Sequence, residues 1–284
     1  MTALYLIDGS FELFRCYYGA PRARLDDGRE VGAVRGLFET LASLLREEDL
    51  VYTAMAFDEV EALQARDAED TENIHAQYDL AVETGLALGI DTWVMAGYSA
   101  DDAIASAAHH FGPDPGLGRV VICSTDNDFA QCVRGDRVIL LDRIRKVRSG
   151  EAEVERKFGV PPGRIPEYLA LVGDKSDGIP GIPGFGPRTT AAVIQRFGPM
   201  EEIPVDVDEW DVEVRGRERL AATFRERRAE AIAYRDASIK RLDAPLPGSL
   251  EELRYHGAHR PSVEALADAV EAPGLLNRTV RYLD

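Results

Sequence analysis

Gly173-Asp174-Lys175-Ser176-Asp177-Gly178-Ile179-Pro180-Gly181-Ile182-Pro183-Gly184-Phe185-Gly186-Pro187-Arg188-Thr189-Thr190 is the densest glycine and proline punctuation in this 284-residue chain. Apolar segments with helical spacing flank it, so it reads as a helix, a long hairpin and a second helix. Gly181, Gly184 and Gly186 fall where a backbone turns tightly or approaches a partner closely. Pro187 suits the first position of the following helix, where no N–H is needed. Successive unpaired amides ahead of a helix N-terminus make an anion site, and a repeating backbone anion is a nucleic-acid strand. Asp174 and Asp177 stand just upstream. Carboxylates that face phosphates require a cation between them.

Outward from this hairpin, composition sets the frame. Hydrophobic residues are 45% and charged residues 29% of the chain, as in an ordinary globular protein large enough for a full core. No apolar run reaches membrane-spanning length and no basic leader precedes the first strand-like run, so a cytoplasmic protein without a membrane partner is expected. Cys16, Cys123 and Cys132 are scattered and signal neither a disulfide framework nor a zinc site. The net charge of −17 opposes easy nucleic-acid binding, but the charge is segregated. Between Asp58 and Asp91 ten acids face the single base Arg66, whereas Arg143, Arg145, Lys146 and Arg148 cluster, as do bases from Arg215 to Arg241. One face can therefore still meet DNA.

The first half alternates strand and helix signals. Strands are predicted at Ala3–Ile7, Val51–Phe57, Asp91–Met95, Arg119–Cys123 and Arg137–Leu141. Helices are predicted from about Ser10 and over Val34–Leu45, Ile74–Leu88, Ala100–Phe111 and Phe129–Val133. This alternation implies an α/β fold, a mostly parallel sheet with helices on both faces. From about Gly150 the pattern turns helical, and a polar, helical tail follows Pro245–Pro247. The expected organisation is an α/β domain over 1–150 and a helical domain over 151–284.

The acids fall at telling places on this pattern. Asp8 and Asp58 end strands, Asp126 and Asp128 follow the fourth strand, and Asp101 and Asp102 open a helix. Ligands of open parallel sheets collect beyond the carboxyl ends of the strands. A single strand-end Asp is usually a helix cap, but six acids from four segments converge on one rim. Crowded carboxylates are destabilising unless neutralised, and the all-oxygen set selects Mg²⁺ or Mn²⁺. His75, His109, His110, His256 and His259 lie outside these segments and read as surface or core residues.

With these motifs assembled, the chain resembles the 5′-nuclease family, the flap endonucleases and 5′–3′ exonucleases that include the N-terminal domain of bacterial DNA polymerase I. The residues that carry the resemblance are Leu6-Ile7-Asp8-Gly9 with Arg15, Gly28…Val31…Ala33-Val34…Gly36, and Phe57-Asp58. They continue with Gly97-Tyr98-Ser99-Ala100-Asp101-Asp102, Thr125-Asp126-Asn127-Asp128, Gly173-Asp174…Ser176-Asp177 and Pro180-Gly181…Gly184…Gly186…Thr189. The resemblance implies a PIN-like α/β domain and a helix–three-turn–helix over Gly173–Phe197 that grips duplex DNA. By it, Asp8, Asp58, Asp101, Asp102, Asp126, Asp128, Asp174 and Asp177 would hold two or three Mg²⁺ or Mn²⁺ ions for phosphodiester hydrolysis. Arg15 would clamp the scissile phosphate. Gly181, Gly184, Gly186, Arg188 and Thr189 would hold the duplex backbone, with a monovalent cation such as K⁺ at the hairpin. The implied substrate is flap, nicked or 5′-ended DNA; beside the resemblance, a monomer that is either free-standing or works with a separate DNA polymerase is expected.

Two departures from the family pattern bear on activity. Ser99 stands where the family has a metal-binding Glu. Between Glu59 and Tyr98 the family's basic arch is replaced by the acidic run, which would repel a single strand. Three readings follow: a structure-selective 5′ nuclease acting on DNA, a catalytically impaired paralogue that binds branched or ended duplex, and an RNA-directed nuclease on the same core.

Overall fold

Ala3–Asp8 is buried along its whole length, as expected of a central strand in a parallel sheet covered on both faces. In this computed structural model residues 2–246, 249–278 and 280–283 are described, so Met1 and Pro247 of the predicted segments lie outside. The elements in chain order are β1 (Ala3–Asp8), α1 (Gly9–Gly19), α2 (Gly32–Leu44), β2 (Leu50–Asp58), α3 (Ala68–Ala87), β3 (Asp91–Met95), α4 (Ala100–Phe111) and β4 (Arg119–Cys123). There follow β5 (Val138–Asp142), β6 (Val147–Ser149), α5 (Glu151–Phe158), α6 (Ile165–Val172), α7 (Pro187–Phe197), α8 (Arg217–Ser238) and α9 (Arg260–Ala269).

The chain divides into two compact units, one reaching Ser124 and resuming at Arg241, the other spanning Thr125–Lys240. The first holds four parallel strands in the order β3-β2-β1-β4. Asp8 pairs in register with Ala56 and Asp58 with Met95, so both aspartates stand at the carboxyl edge of the sheet. α4 packs on β1 and β2, while α1, α2, α3 and α9 pack on one another.

The segment after Arg241 returns to this unit. Tyr255 N–H donates to the Val51 carbonyl at 2.9 Å, the Arg254 guanidinium covers the Tyr52 ring, and Arg35 donates to the Val270 carbonyl. The division expected at residue 150 falls between β6 and α5, inside the second unit.

The acidic interval forms no basic arch among the described residues. Val60–Ala62 makes a 3₁₀ turn, and α3 begins earlier than its apolar periodicity indicates because Asp67 caps it, accepting from Asp70 N–H at 2.9 Å. Asp70 accepts from the Tyr17 and Tyr18 hydroxyls at 2.7 and 3.0 Å, which fastens the start of α3 to α1. Acids at this end of the helix also complement its dipole.

The second unit opens with Asp128–Cys132 as a 3₁₀ turn where a helix is predicted. Five residues offer too few hydrogen bonds to sustain an α-helix. β5 and β6 are antiparallel, Leu140 opposite Ser149, so Arg143, Arg145 and Lys146 form the tip of a hairpin and Arg148 lies on β6 opposite Leu141. Asp142 shapes that tip by accepting from the Ile144 and Arg145 amides. Trp210 and Phe224 are fully buried among α6, α7 and α8, with Phe185 of the long hairpin packed against Phe224. This core fixes the hairpin between its two helices.

Candidate functional site

In the first unit Asp8 caps α1. Its Oδ1 accepts from Phe11 N–H at 2.9 Å and its Oδ2 faces the Ser124 hydroxyl at 3.4 Å. Gly9 lets β1 turn into α1 against β2, since a Cβ there would lie 2.8 Å from the Ala56 carbonyl oxygen and the Phe57 ring. Asp58 Oδ1 accepts from Ala100 N–H at 2.9 Å, which ties the end of β2 to the first turn of α4. The Tyr78 hydroxyl donates to the Asp58 carbonyl at 2.7 Å, and burial pushes its pKa up to about 12, with the Asp58 charge adding to the rise.

Asp101 and Asp102 lie in that same first turn. Ser99 Oγ accepts from Asp102 N–H at 3.0 Å while Asp102 Oδ2 faces Ser99 N–H at 3.4 Å, a capping box. Asp102 Oδ1 accepts from Arg241 N–H at 2.9 Å. Ser99 thus does the work of a helix cap, and both Asp102 oxygens serve backbone amides. The Arg15 guanidinium pairs with the buried Glu12 carboxylate and donates to Thr40, so its charge is balanced within the fold.

In the second unit Asp126, Asp128 and Asp174 converge, each with a carboxylate oxygen within 4.8 Å of the others. Asp126 Oδ1 accepts from Asp128 N–H at 3.0 Å and so sets the turn that carries both. Asp174 enters from the hairpin, where its N–H and C=O pair with Ile179 at 2.8 and 2.7 Å. Its Oδ1 accepts from Ser176 N–H at 2.9 Å and from the Ser176 hydroxyl.

Asp128 is wholly buried, and its carboxylate faces the Lys240 ammonium and the neighbouring Asp177. The Lys240 ammonium stands 2.8 Å from Oδ2, close enough for an ion pair. Burial pushes the Asp128 carboxyl up to about 8, with the neighbouring Asp177 adding to the rise and Lys240 opposing it. Burial likewise raises Asp126, with Asp177 and Asp174 adding to the effect. Asp177 itself is exposed on the hairpin. Buried acids whose pKa values rise through desolvation, with mutual proximity adding, fit a hard divalent cation with oxygen ligands.

In the hairpin beyond Asp174, Gly181 and Gly184 adopt the positive φ of a tight turn, whereas Gly186 has φ −101° and open space around it. Gly181 adopts φ +75° against the Val172 carbonyl, and Pro187 opens α7 without a side-chain cap, so the first-turn amides stay available. Arg188 is exposed and Thr189 half-buried. A groove of about 440 Å³ runs beside Asp174, lined by Asn127, Lys157, Lys175 and Pro187 among others. Lys157 donates to Asn127 Oδ1 at 2.8 Å and lies over the Phe158 ring. Burial lowers the Lys157 pKa, with Arg145 lowering it further and Asp142 and Asp126 opposing. Sequence reasoning missed Lys157 and Lys240 as parts of this site. Lys240 lies within the basic run noted from Arg215 to Arg241, but no motif singles it out.

The family follows from this arrangement. A model described as the N-terminal resolvase-like domain of 5′–3′ exonucleases matches residues 3–159, and one described as their C-terminal SAM fold matches 160–261. The chain belongs to the 5′–3′ exonuclease family. It is 33% identical over 218 residues to a 5′–3′ exonuclease of Aquifex aeolicus, covering 72% of each chain. It is 30% identical over 275 residues to DNA polymerase I of Bacillus caldotenax, covering 93% of this chain but 31% of the polymerase. The chain thus spans about a third of the length of the DNA polymerase I relatives it matches. T5 5′-exonuclease with bound zinc shares the fold at a TM-score of 0.65 and 16% identity, over 97% of this chain and 96% of that one. The catalytic core of Rad2 in complex with a DNA substrate shares it at 0.63 and 13% identity, over 97% and 92%.

Proposed function

We propose that the chain is a divalent-metal-dependent, structure-selective 5′ nuclease that hydrolyses DNA phosphodiesters at flaps, nicks or 5′ ends. The observation that carries this reading is the convergence of the buried Asp128 carboxylate with those of Asp126 and Asp174, an oxygen of each within 4.8 Å of the others. Such a cluster is costly without a cation, and Mg²⁺ or Mn²⁺ suits its donors. Asp126, Asp128, Asp174 and Asp177 in the second unit, and Asp8, Asp58, Asp101 and Asp102 in the first, are the residues assigned to metal. Asp8 and Asp102 also shape the backbone, as Asp58, Asp126 and Asp174 do, through hydrogen bonds from amides or a hydroxyl. A bound divalent ion would lower the pKa of its water and stabilise charge on the scissile phosphate and the leaving oxygen.

The remaining steps belong to the chain's own groups. The unpaired amides at the start of α7, with Gly181, Gly184, Gly186, Arg188 and Thr189, hold the duplex backbone, assisted by a monovalent cation such as K⁺. Lys157 and Lys175 in the adjoining groove receive phosphates of the strand that leads to Asp174. These contacts read phosphate position, so selectivity is for DNA ends and branches. Arg15, neutralised by Glu12, acts by orienting α1 against Thr40 rather than as a free cationic clamp. A monomer working in the cytoplasm beside a separate polymerase completes the reading.

The test is cleavage of 5′-labelled flap and nicked duplexes across Mg²⁺ and Mn²⁺ titrations. The expected outcome is metal-dependent product that Asp126→Ala abolishes. No cleavage of any branched or ended DNA, together with salt-sensitive binding, would establish instead the impaired paralogue to which the cap role of Ser99 points.

A further inference from the structure

Lys240 is placed in the acidic cluster by more than chance proximity. It follows immediately on the end of α8, where Ile239 N–H still bonds back to Arg235. Its own N–H donates to Gln131 Oε1 at 3.0 Å, and Gln131 Nε2 donates to the carbonyls of Ser238 at 2.9 Å and Asp128 at 3.0 Å. Gln131 therefore locks the backbone around Lys240 to the turn that carries Asp128. The side chain is 13% exposed and its ammonium lies 2.8 Å from Asp128 Oδ2, which is 1% exposed. An exposed pair of this kind would be a dispensable surface contact. A buried one carries a large desolvation cost, and removal of either partner leaves an uncompensated charge.

We propose that Lys240 is a tethered cation that competes with divalent metal for Asp128 and so sets the metal affinity of the Asp126–Asp128–Asp174 cluster. The inference rests on the reading of that cluster as a metal centre. An ammonium is a single positive charge with hydrogen-bond donors and no coordination preference, so it balances one carboxylate of three. A divalent ion satisfies all three more fully, but it must first displace the ammonium from Oδ2. The protein in this way keeps a cation at its most buried acid when metal is scarce, and loads metal only above a raised threshold.

The test is calorimetric titration of Mn²⁺ into the metal-free wild-type chain and its variants Lys240→Met, Lys240→Gln and Lys240→Arg. Removal of the competing charge in Lys240→Met and Lys240→Gln is expected to lower the Mn²⁺ Kd by at least about tenfold, while Lys240→Arg leaves it near the wild-type value. Thermal melts supply a second readout, since saturating Mn²⁺ should raise the Tm of Lys240→Met by more than that of the wild type. Equal or weaker Mn²⁺ binding by both neutral variants would overturn the competition while leaving the metal centre intact. Absence of Mn²⁺ binding by every protein would remove the metal centre and the competition together.

Discussion

Replacing Gly181 by alanine should break the long hairpin from within, whereas the same change at Gly186 should leave its geometry alone. Gly181 has φ +75°, and a Cβ there would lie 2.6 Å from both the carbonyl carbon and oxygen of Val172 and 2.7 Å from Gly173 N. The left-handed conformation costs an alanine about 1–2 kcal/mol. No rotamer change relieves a clash with main chain, so the hairpin must shift against α6, at a further cost of about 1–3 kcal/mol. The sum, about 3 kcal/mol, corresponds to a Tm fall of ~5 °C for a chain of this length.

Gly186 has φ −101° and ψ 172°, and a Cβ there would meet nothing within 4 Å. Its alanine variant should melt within about 1 °C of wild type. It also precedes the unpaired amides of α7, where a methyl group would hold a phosphate at a distance. Gly181→Ala is therefore expected to lose stability and DNA affinity together, and Gly186→Ala to lose only affinity, by about fivefold. Thermal melts and fluorescence anisotropy with a nicked duplex measure both quantities. Wild-type melting of Gly181→Ala, or wild-type DNA binding by Gly186→Ala, would refute the reasoning.

Ser99→Glu exchanges a helix cap for a carboxylate, so it should cost about 1 kcal/mol of stability while tightening Mn²⁺ binding, measured by melts and titration calorimetry. Asp128 offers a pH test in the metal-free protein. Its carboxyl is held at about 8, above its ordinary value, so the folded state binds the proton more tightly than the unfolded chain. The associated stability is complete at acid pH and is lost as pH rises through about 8, and Mn²⁺ affinity should climb over the same interval because binding expels that proton. Melts and Mn²⁺ titrations between about pH 4 and 9, which spans the ordinary and the raised value, check both signs. Arg188→Ala should weaken duplex binding equally across sequences and lower the salt-dependence slope by about 1, read from anisotropy at several salt concentrations.

Much of the fold is legible because its signals are local. β1, β3, β4 and α4 lie where apolar runs and periodicity put them, since a buried parallel strand needs only a short apolar run and α4 carries its own cap in Ser99. The failures are equally physical. Phe129–Val133 has helical apolar spacing but too little length, and α3 starts at an acidic cap that hydrophobic periodicity does not register. Arg143, Arg145 and Lys146 read as surface charge, although Asp142 turns them into a hairpin tip.

Within the site, the aspartates were visible because strand ends and helix starts mark them. Lys240 was not, because its position depends on Gln131 and Asp128, more than a hundred residues away in sequence. Ser99 was visible as a departure from the family pattern, and the structure adds its reason, a reciprocal cap with Asp102. The acidic character of the interval between Glu59 and Tyr98 was likewise legible in the sequence. The fastening of the start of α3 to Tyr17 and Tyr18 through Asp70 was not, because those partners lie more than fifty residues away in sequence.

The most direct measurement is the anomalous scattering of manganese in crystals of the wild-type protein soaked in Mn²⁺. A metal centre at Asp126, Asp128 and Asp174 predicts an anomalous peak within coordination distance of all three carboxylates, with the Lys240 ammonium withdrawn from Asp128. A map without a peak there at saturating Mn²⁺ would contradict it.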